Sequence, residues 1–135
     1  MTKQLWINLP VKDVARSREF FSHLGFTFND AHGVNPTCML VGEKKFVVML
    51  FEEGVFKSLT RQELSDTTLS TEVLFSIDAE SRSEVDALAA KAKEAGGIVF
   101  AEPSESQGWM YGCGFCDLDG HRWNVLYMDM SKMPK

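Results

Sequence analysis

Apolar and polar positions along the chain follow one pattern, used twice. Leu5-Trp6-Ile7-Asn8-Leu9 is a short apolar-rich run halted by Pro10, which predicts a first strand. Asp13 then caps a helix reaching about Leu24, with Val14, Phe20, Phe21 and Leu24 as its apolar face. Gly25 stops it, as a glycine just past the last helical residue does. Strands are predicted over 26–29, 37–41 and 46–51, with Gly42-Glu43-Lys44-Lys45 as the tight antiparallel turn between the last two.

The second half repeats this order. Residues 72–77 alternate as a strand, and Ser81 or Ser83 caps a helix to about Ala95 whose stripe is Val85, Leu88, Ala89 and Ala92. Gly96-Gly97 ends that helix, and Ile98-Val99-Phe100 opens a strand before Pro103. The last two strands are predicted over 111–117 and 123–128, joined by Leu118-Asp119-Gly120-His121. Arg16-Ser17 before Glu19 is echoed by Arg82-Ser83 before Glu84. The fold class expected is therefore α+β: two tandem β-α-β-β-β modules, about 4–52 and 71–129, within a single domain of 1–135. The segment between them, about 53–70, is polar but keeps Val55, Phe56 and Leu59 as apolar anchors. It reads as a loop or short helix folded over the sheet, serving either as a binding loop or as a simple linker.

Composition narrows the function classes. With 14 Lys and Arg against 19 Asp and Glu, the formal net charge is −5, and the longest basic run is Lys44-Lys45. Neither a nucleic-acid surface nor a polybasic membrane patch fits that balance. No apolar stretch approaches the roughly 20 residues of a spanning helix. Met1-Thr2-Lys3-Gln4 leads straight into the first strand without a signal-peptide core, so the expectation is a soluble cytoplasmic protein. Three cysteines, Cys38, Cys113 and Cys116, are read as free thiols. Cys113-Gly114-Phe115-Cys116 has the CxxC spacing, but it lies in a predicted strand without further zinc ligands at suitable spacing, so packing is the expected role.

Two segments carry a family resemblance: the strand-to-helix entry Leu9-Pro10-Val11-Lys12-Asp13-Val14-Ala15-Arg16-Ser17-Arg18-Glu19-Phe20-Phe21, and the closing hairpin Gly114-Phe115-Cys116-Asp117-Leu118-Asp119-Gly120-His121-Arg122-Trp123-Asn124. Together with the paired modules they resemble the vicinal oxygen chelate superfamily of glyoxalases, bleomycin-resistance proteins, fosfomycin-resistance enzymes and extradiol dioxygenases. The resemblance implies curved mixed sheets around a cleft, and a homodimer in which two chains complete each cleft. The closing motif is in the first place a structural device, because Asp119-Gly120 supplies a turn tolerant of positive φ.

In metal-binding relatives, side chains drawn from His, Glu and Gln converge from the first, fourth, fifth and eighth strands and hold a Lewis-acidic ion. By resemblance those positions fall on Trp6, Met49, Glu72 and Asn124. Indole offers no lone pair to a metal, and a thioether suits soft ions. A one-residue slip gives Ile7, Val48, Val73 and Trp123 or Val125, and a two-residue slip in the first strand gives Asn8; none restores a ligand set. His23 falls in the last turn of the first helix, His32 in a polar loop and His121 in the closing turn. No cofactor is therefore expected, with a divalent metal as the alternative at these degenerate ligand positions.

Two functions remain in view. One is a metal-independent protein that binds a small molecule in the sheet cleft, using Trp6, Asn8, Met49, Glu72 and Asn124, with Trp109 and Tyr111 on one rim. Trp6 suits a planar or cationic ligand and Glu72 a positive charge. The other is an enzyme: a metal-dependent lyase or oxidoreductase of the glyoxalase or extradiol dioxygenase kind, or a metal-independent catalyst with Glu72 as general base. Trp6 and Met49 are also compatible with plain core positions, and Glu72 with an exposed strand start.

Overall fold

The computed structural model describes residues 1–134, and the chain divides into two compact units, Met1–Asp66 and Thr67 onward. The first contains β1 (Ile7–Val11), α1 (Val14–His23), β2 (Thr27–Asn29), β3 (Thr37–Val41), β4 (Phe46–Glu52) and α2 (Glu53–Thr60). Its sheet runs β1-β4-β3-β2, with β1 parallel to β4 and the other pairs antiparallel. Asp13 caps α1 by accepting from the Arg16 amide at 3.2 Å. The helix lays Val14, Phe20 and Phe21 against Leu9, Val11, Met39, Val48 and Leu50, all buried. Phe20 and Phe21 meet edge-to-face with centroids 5.1 Å apart, a geometry favoured by the ring quadrupoles.

Pro10 does not end the first strand, which continues to Val11. β1 is an edge strand, and a missing N–H on its unpaired side costs no ladder bond. The segment after β4 begins as a helix at once: α2 packs against β1 and β4 with Phe56 half-buried, while Val55 and Leu59 stay exposed.

The second unit contains β5 (Leu74–Asp78), α3 (Arg82–Glu94), β6 (Ile98–Ser106), β7 (Met110–Cys116) and β8 (Arg122–Met128), followed by a 3-10 turn at Met130–Lys132. Its sheet order, β5-β8-β7-β6 with β5 parallel to β8, reproduces the first. Of the two serines proposed as caps, Ser81 does the work: its hydroxyl accepts from the Glu84 amide at 3.1 Å, and Glu84 reaches back to the Glu80 amide at 2.9 Å. Val85, Leu88, Ala89 and Ala92 are buried as the stripe predicts. β6 runs past Pro103 to Ser106 because it too is an edge strand, and shifts of register between Val99 and Ser104 absorb the proline. No helix among the described residues is long and apolar enough to cross a membrane.

The closing turn is held by one buried carboxylate. Asp117 Oδ1 accepts from the amides of Asp119 and His121, each at 3.0 Å, and Oδ2 accepts from the Trp123 indole at 3.1 Å. Trp123 is in turn stacked on Phe115, 6.2 Å between centroids, and tilted against Phe75 at 4.9 Å. Gly120 has φ +82°, and a Cβ there would strike Thr67, whose hydroxyl donates to the Asp119 carbonyl at 2.5 Å. Burial raises the Asp117 carboxyl above its ordinary value, against the pull of His121 and the three donors. Asp117→Ala strips three donors of their acceptor and is expected to lower unfolding free energy by about 2–4 kcal/mol in urea titrations. Asp117→Asn, which keeps an acceptor for the two amides and loses only the indole bond, is expected to cost about 1–2 kcal/mol. An Asn variant no more stable than the Ala variant would contradict this account.

Candidate functional site

Alternation along β4 decides which residues the first sheet offers. Val48 and Leu50 are buried on the α1 side, so Val47, Met49 and Phe51 project from the other face. Trp6, just ahead of β1, joins them there, and together they line a concavity of about 670 Å³. Lys3 from the chain start and Lys44 and Lys45 from the β3–β4 turn complete its edge. None of the three lysines forms an ion pair among the described residues. Asn8 lies opposite Met49 in the ladder and shares its face, though it is not part of the wall. Cys38 is the neighbour of Met49 on the other side.

The second sheet presents a different surface on its face away from α3. Asn124 donates from Nδ2 to Ser76 Oγ at 3.3 Å across the β5–β8 ladder. Gly114, opposite Asn124, has no side chain because the Phe100 ring lies where its Cβ would stand. The Arg122 guanidinium sits 4.3 Å above that same ring. Sequence reading passed over Arg122 and Phe100; the Gly114 between two cysteines was the available signal that something approaches the strand closely.

Two expected site residues are placed differently from their sequence reading. Glu72 is exposed and lies in a bend ahead of β5, which starts at Leu74. The parallel register pairs Leu74 with Arg122, so two residues earlier the ladder would meet Gly120 inside the closing turn, and it ends instead. Because Asn8 faces Met49 and Ser76 faces Asn124, the second-module counterpart of Trp6 is Leu74 rather than Glu72. Tyr111 pairs across from Tyr127, in phase with Cys113 and Phe115, and so faces α3 and not the side of Asn124. Its hydroxyl donates to Asp86 at 2.7 Å, a bond that raises it above its usual range, and Arg82 covers its ring at 4.8 Å. Trp109 is half-buried in the turn before β7, and its indole nitrogen is buried without a hydrogen-bond partner among the described residues.

The two cysteines of the CxxC segment point to opposite faces of β7, as their odd spacing requires. Cys113 is buried under α3 with its thiol directed at the Val85 carbonyl, 3.9 Å away, and burial pushes it up to about 11. Burial raises Cys116 as well. Thiols in that state are poor nucleophiles and poor redox partners.

A family model described as bleomycin resistance protein-like N-terminal matches residues 3–42. Among solved structures, the hypothetical protein SA1046 from S. aureus is 38% identical over 94% of this chain and 95% of its own, with a TM-score of 0.85. A glyoxalase/bleomycin resistance protein/dioxygenase family enzyme from Burkholderia phytofirmans PsJN shares the fold at 16% identity, covering 91% of this chain and 96% of its own, with a TM-score of 0.75. The genomically encoded fosfomycin resistance protein FosX from Listeria monocytogenes does so at 16% identity, covering 98% of each chain, with a TM-score of 0.67. No curated protein matches the chain. The chain has the fold of the glyoxalase/bleomycin resistance/dioxygenase proteins, and its first 42 residues include a match to the bleomycin resistance protein-like model.

The divalent ion that the sequence resemblance implies does not fit the side chains present here. The first sheet offers an indole and a thioether at Trp6 and Met49, and the second an aliphatic side chain at Leu74 and an amide at Asn124. Within neither unit do three His, Cys, Asp or Glu side chains gather among the described residues. Hard and borderline cations need several oxygen or imidazole donors, and this set supplies only the Asn124 amide oxygen.

The raised Cys113 thiol has a measurable consequence. An unfolded chain ionises this thiol near its ordinary value of 9.0, before the folded chain does, so folding stability falls as pH rises from about 9 to about 11. Denaturation midpoints followed across that range are expected to decline less steeply in Cys113→Ala than in the parent protein. Identical slopes would show that the thiol is not desolvated.

Proposed function

We propose that this protein binds a small organic molecule on the face of its first sheet away from α1, without a metal ion. The observation that carries the reading is the concavity of about 670 Å³ lined by Trp6, Val47, Met49 and Phe51. Its volume lies within the usual range for ligand pockets, and an indole beside a thioether and a phenyl ring suits a flat apolar ligand. Val47, Met49 and Phe51 project from strand positions whose neighbours are fixed under α1, and Trp6 stands directly ahead of β1, so most of the wall is held by the sheet.

The same reading takes the protein to act as a homodimer, free of nucleic acid and membrane. Support comes from the second sheet, where Leu74, Phe100 and Met128 are exposed on the face away from α3 and a partner surface would cover them. Sedimentation at micromolar concentration is expected to give a species of twice the chain mass, and a monomer there would refute the dimer.

Metal independence is tested by thermal unfolding of chelator-stripped protein with Mn²⁺, Fe²⁺, Co²⁺, Ni²⁺ and Zn²⁺. A native-state ligand at a hundred times its dissociation constant stabilises by about 2.7 kcal/mol, enough to move the midpoint by several degrees. No ion is expected to do so. A specific shift with one ion, abolished by Asn124→Ala or Glu72→Ala, would overturn the metal-free reading.

A further inference from the structure

We infer that the ligand of the first sheet's concavity is a planar organic anion: one or two aromatic rings bearing a carboxylate, sulfonate or phosphate. This rests on the reading of that concavity as a binding site and adds its charge selectivity. Lys3, Lys44 and Lys45 all line it, and no Asp or Glu does, in a chain whose formal charge is −5. The carboxylates that stand near in sequence do not neutralise the lysines. Glu43, in the same turn, lies outside the wall and pairs with neither Lys44 nor Lys45. Glu52 accepts from the Asn35 amide at 3.0 Å. Three uncompensated ammonium groups around an apolar wall attract a ligand that is flat on one side and negative on the other.

The turn that carries two of these lysines supports the same conclusion independently. Lys45 has φ 55°, the left-handed region, and its amide closes the turn on the Gly42 carbonyl at 3.0 Å. Gly or Asn fills such a position at less conformational cost. A lysine held there places an ammonium at the edge of the concavity at the expense of backbone ease, the pattern seen where local strain serves a site. Lysine also suits the role chemically, as a mobile point charge that meets an anion without dictating its geometry.

The experiment titrates the full chain with anilinonaphthalene sulfonate and with its uncharged parent, N-phenylnaphthylamine, by fluorescence at low and high NaCl. The sulfonate is expected to bind roughly tenfold more tightly at low salt, with the advantage shrinking at high salt as screening shortens the reach of the lysines. Lys3→Gln, Lys44→Gln and Lys45→Gln are each expected to weaken the sulfonate by roughly two- to fivefold and leave the neutral probe unchanged. Lys45→Gly is expected to weaken it equally, with a thermal midpoint no lower than that of the parent protein. Equal affinities for the two probes, or sulfonate binding indifferent to all three lysines, would overturn the charge assignment while the site stands. Failure of both probes to bind, or binding unaffected by Trp6→Ala, would overturn the site and the charge assignment together.

Discussion

Each sheet in this chain buries one face under an amphipathic helix, α1 or α3, and period-two alternation then fixes what every strand residue can do. Val48 and Leu50 lie under α1, so Met49 and Phe51 cannot; Trp123 and Val125 are buried, so Asn124 looks the other way. The parallel pairs β1–β4 and β5–β8 set this phase, because a slip of one residue in either would send the core to solvent. The concavity of the first sheet, the Ser76–Asn124 bond and the Arg122–Phe100 stack are all what remains on the faces the helices leave uncovered.

The local parts of this arrangement were legible in the sequence. Asp13 and the Val85–Ala92 stripe announced the two larger helices, and the turn at Gly42–Lys45 announced the β3–β4 hairpin, because caps, stripes and turns depend on neighbours a few residues away. What depends on distant partners was not legible. Whether Pro10 and Pro103 end a strand turns on edge position, a property of sheet order. The start of β5 is set by the turn that precedes β8, far along the chain, so alternation alone carried the strand back to Glu72. The same holds for chemistry. Trp6 and Met49 were found by motif spacing and do line one concavity, whereas Lys3 joins Lys44 and Lys45 only through the fold. The place of Tyr111 ahead of the seventh strand suits a rim residue, but the β7–β8 register turns it toward α3 and Asp86.

The two modules show how far one scaffold can diverge on its free faces. In both, the ladder juxtaposes an interior residue of the first strand with one of the last: Asn8 with Met49, and Ser76 with Asn124. One pair borders an apolar, lysine-edged hollow; the other is a polar bond beside a stacked guanidinium. The helix-facing sides are conservative by comparison, since each must fill its space with close-packed aliphatic and aromatic groups.

The position of Asp117 has a consequence for what substitution can change. Its three bonds hold the closing turn and the Trp123 indole on the helix side, while Asn124, the very next residue, answers only to the opposite face. The adjacent residues Trp123 and Asn124 thus serve opposite faces of one strand. A substitution at position 124 can change what that face offers while leaving the seal beneath it intact.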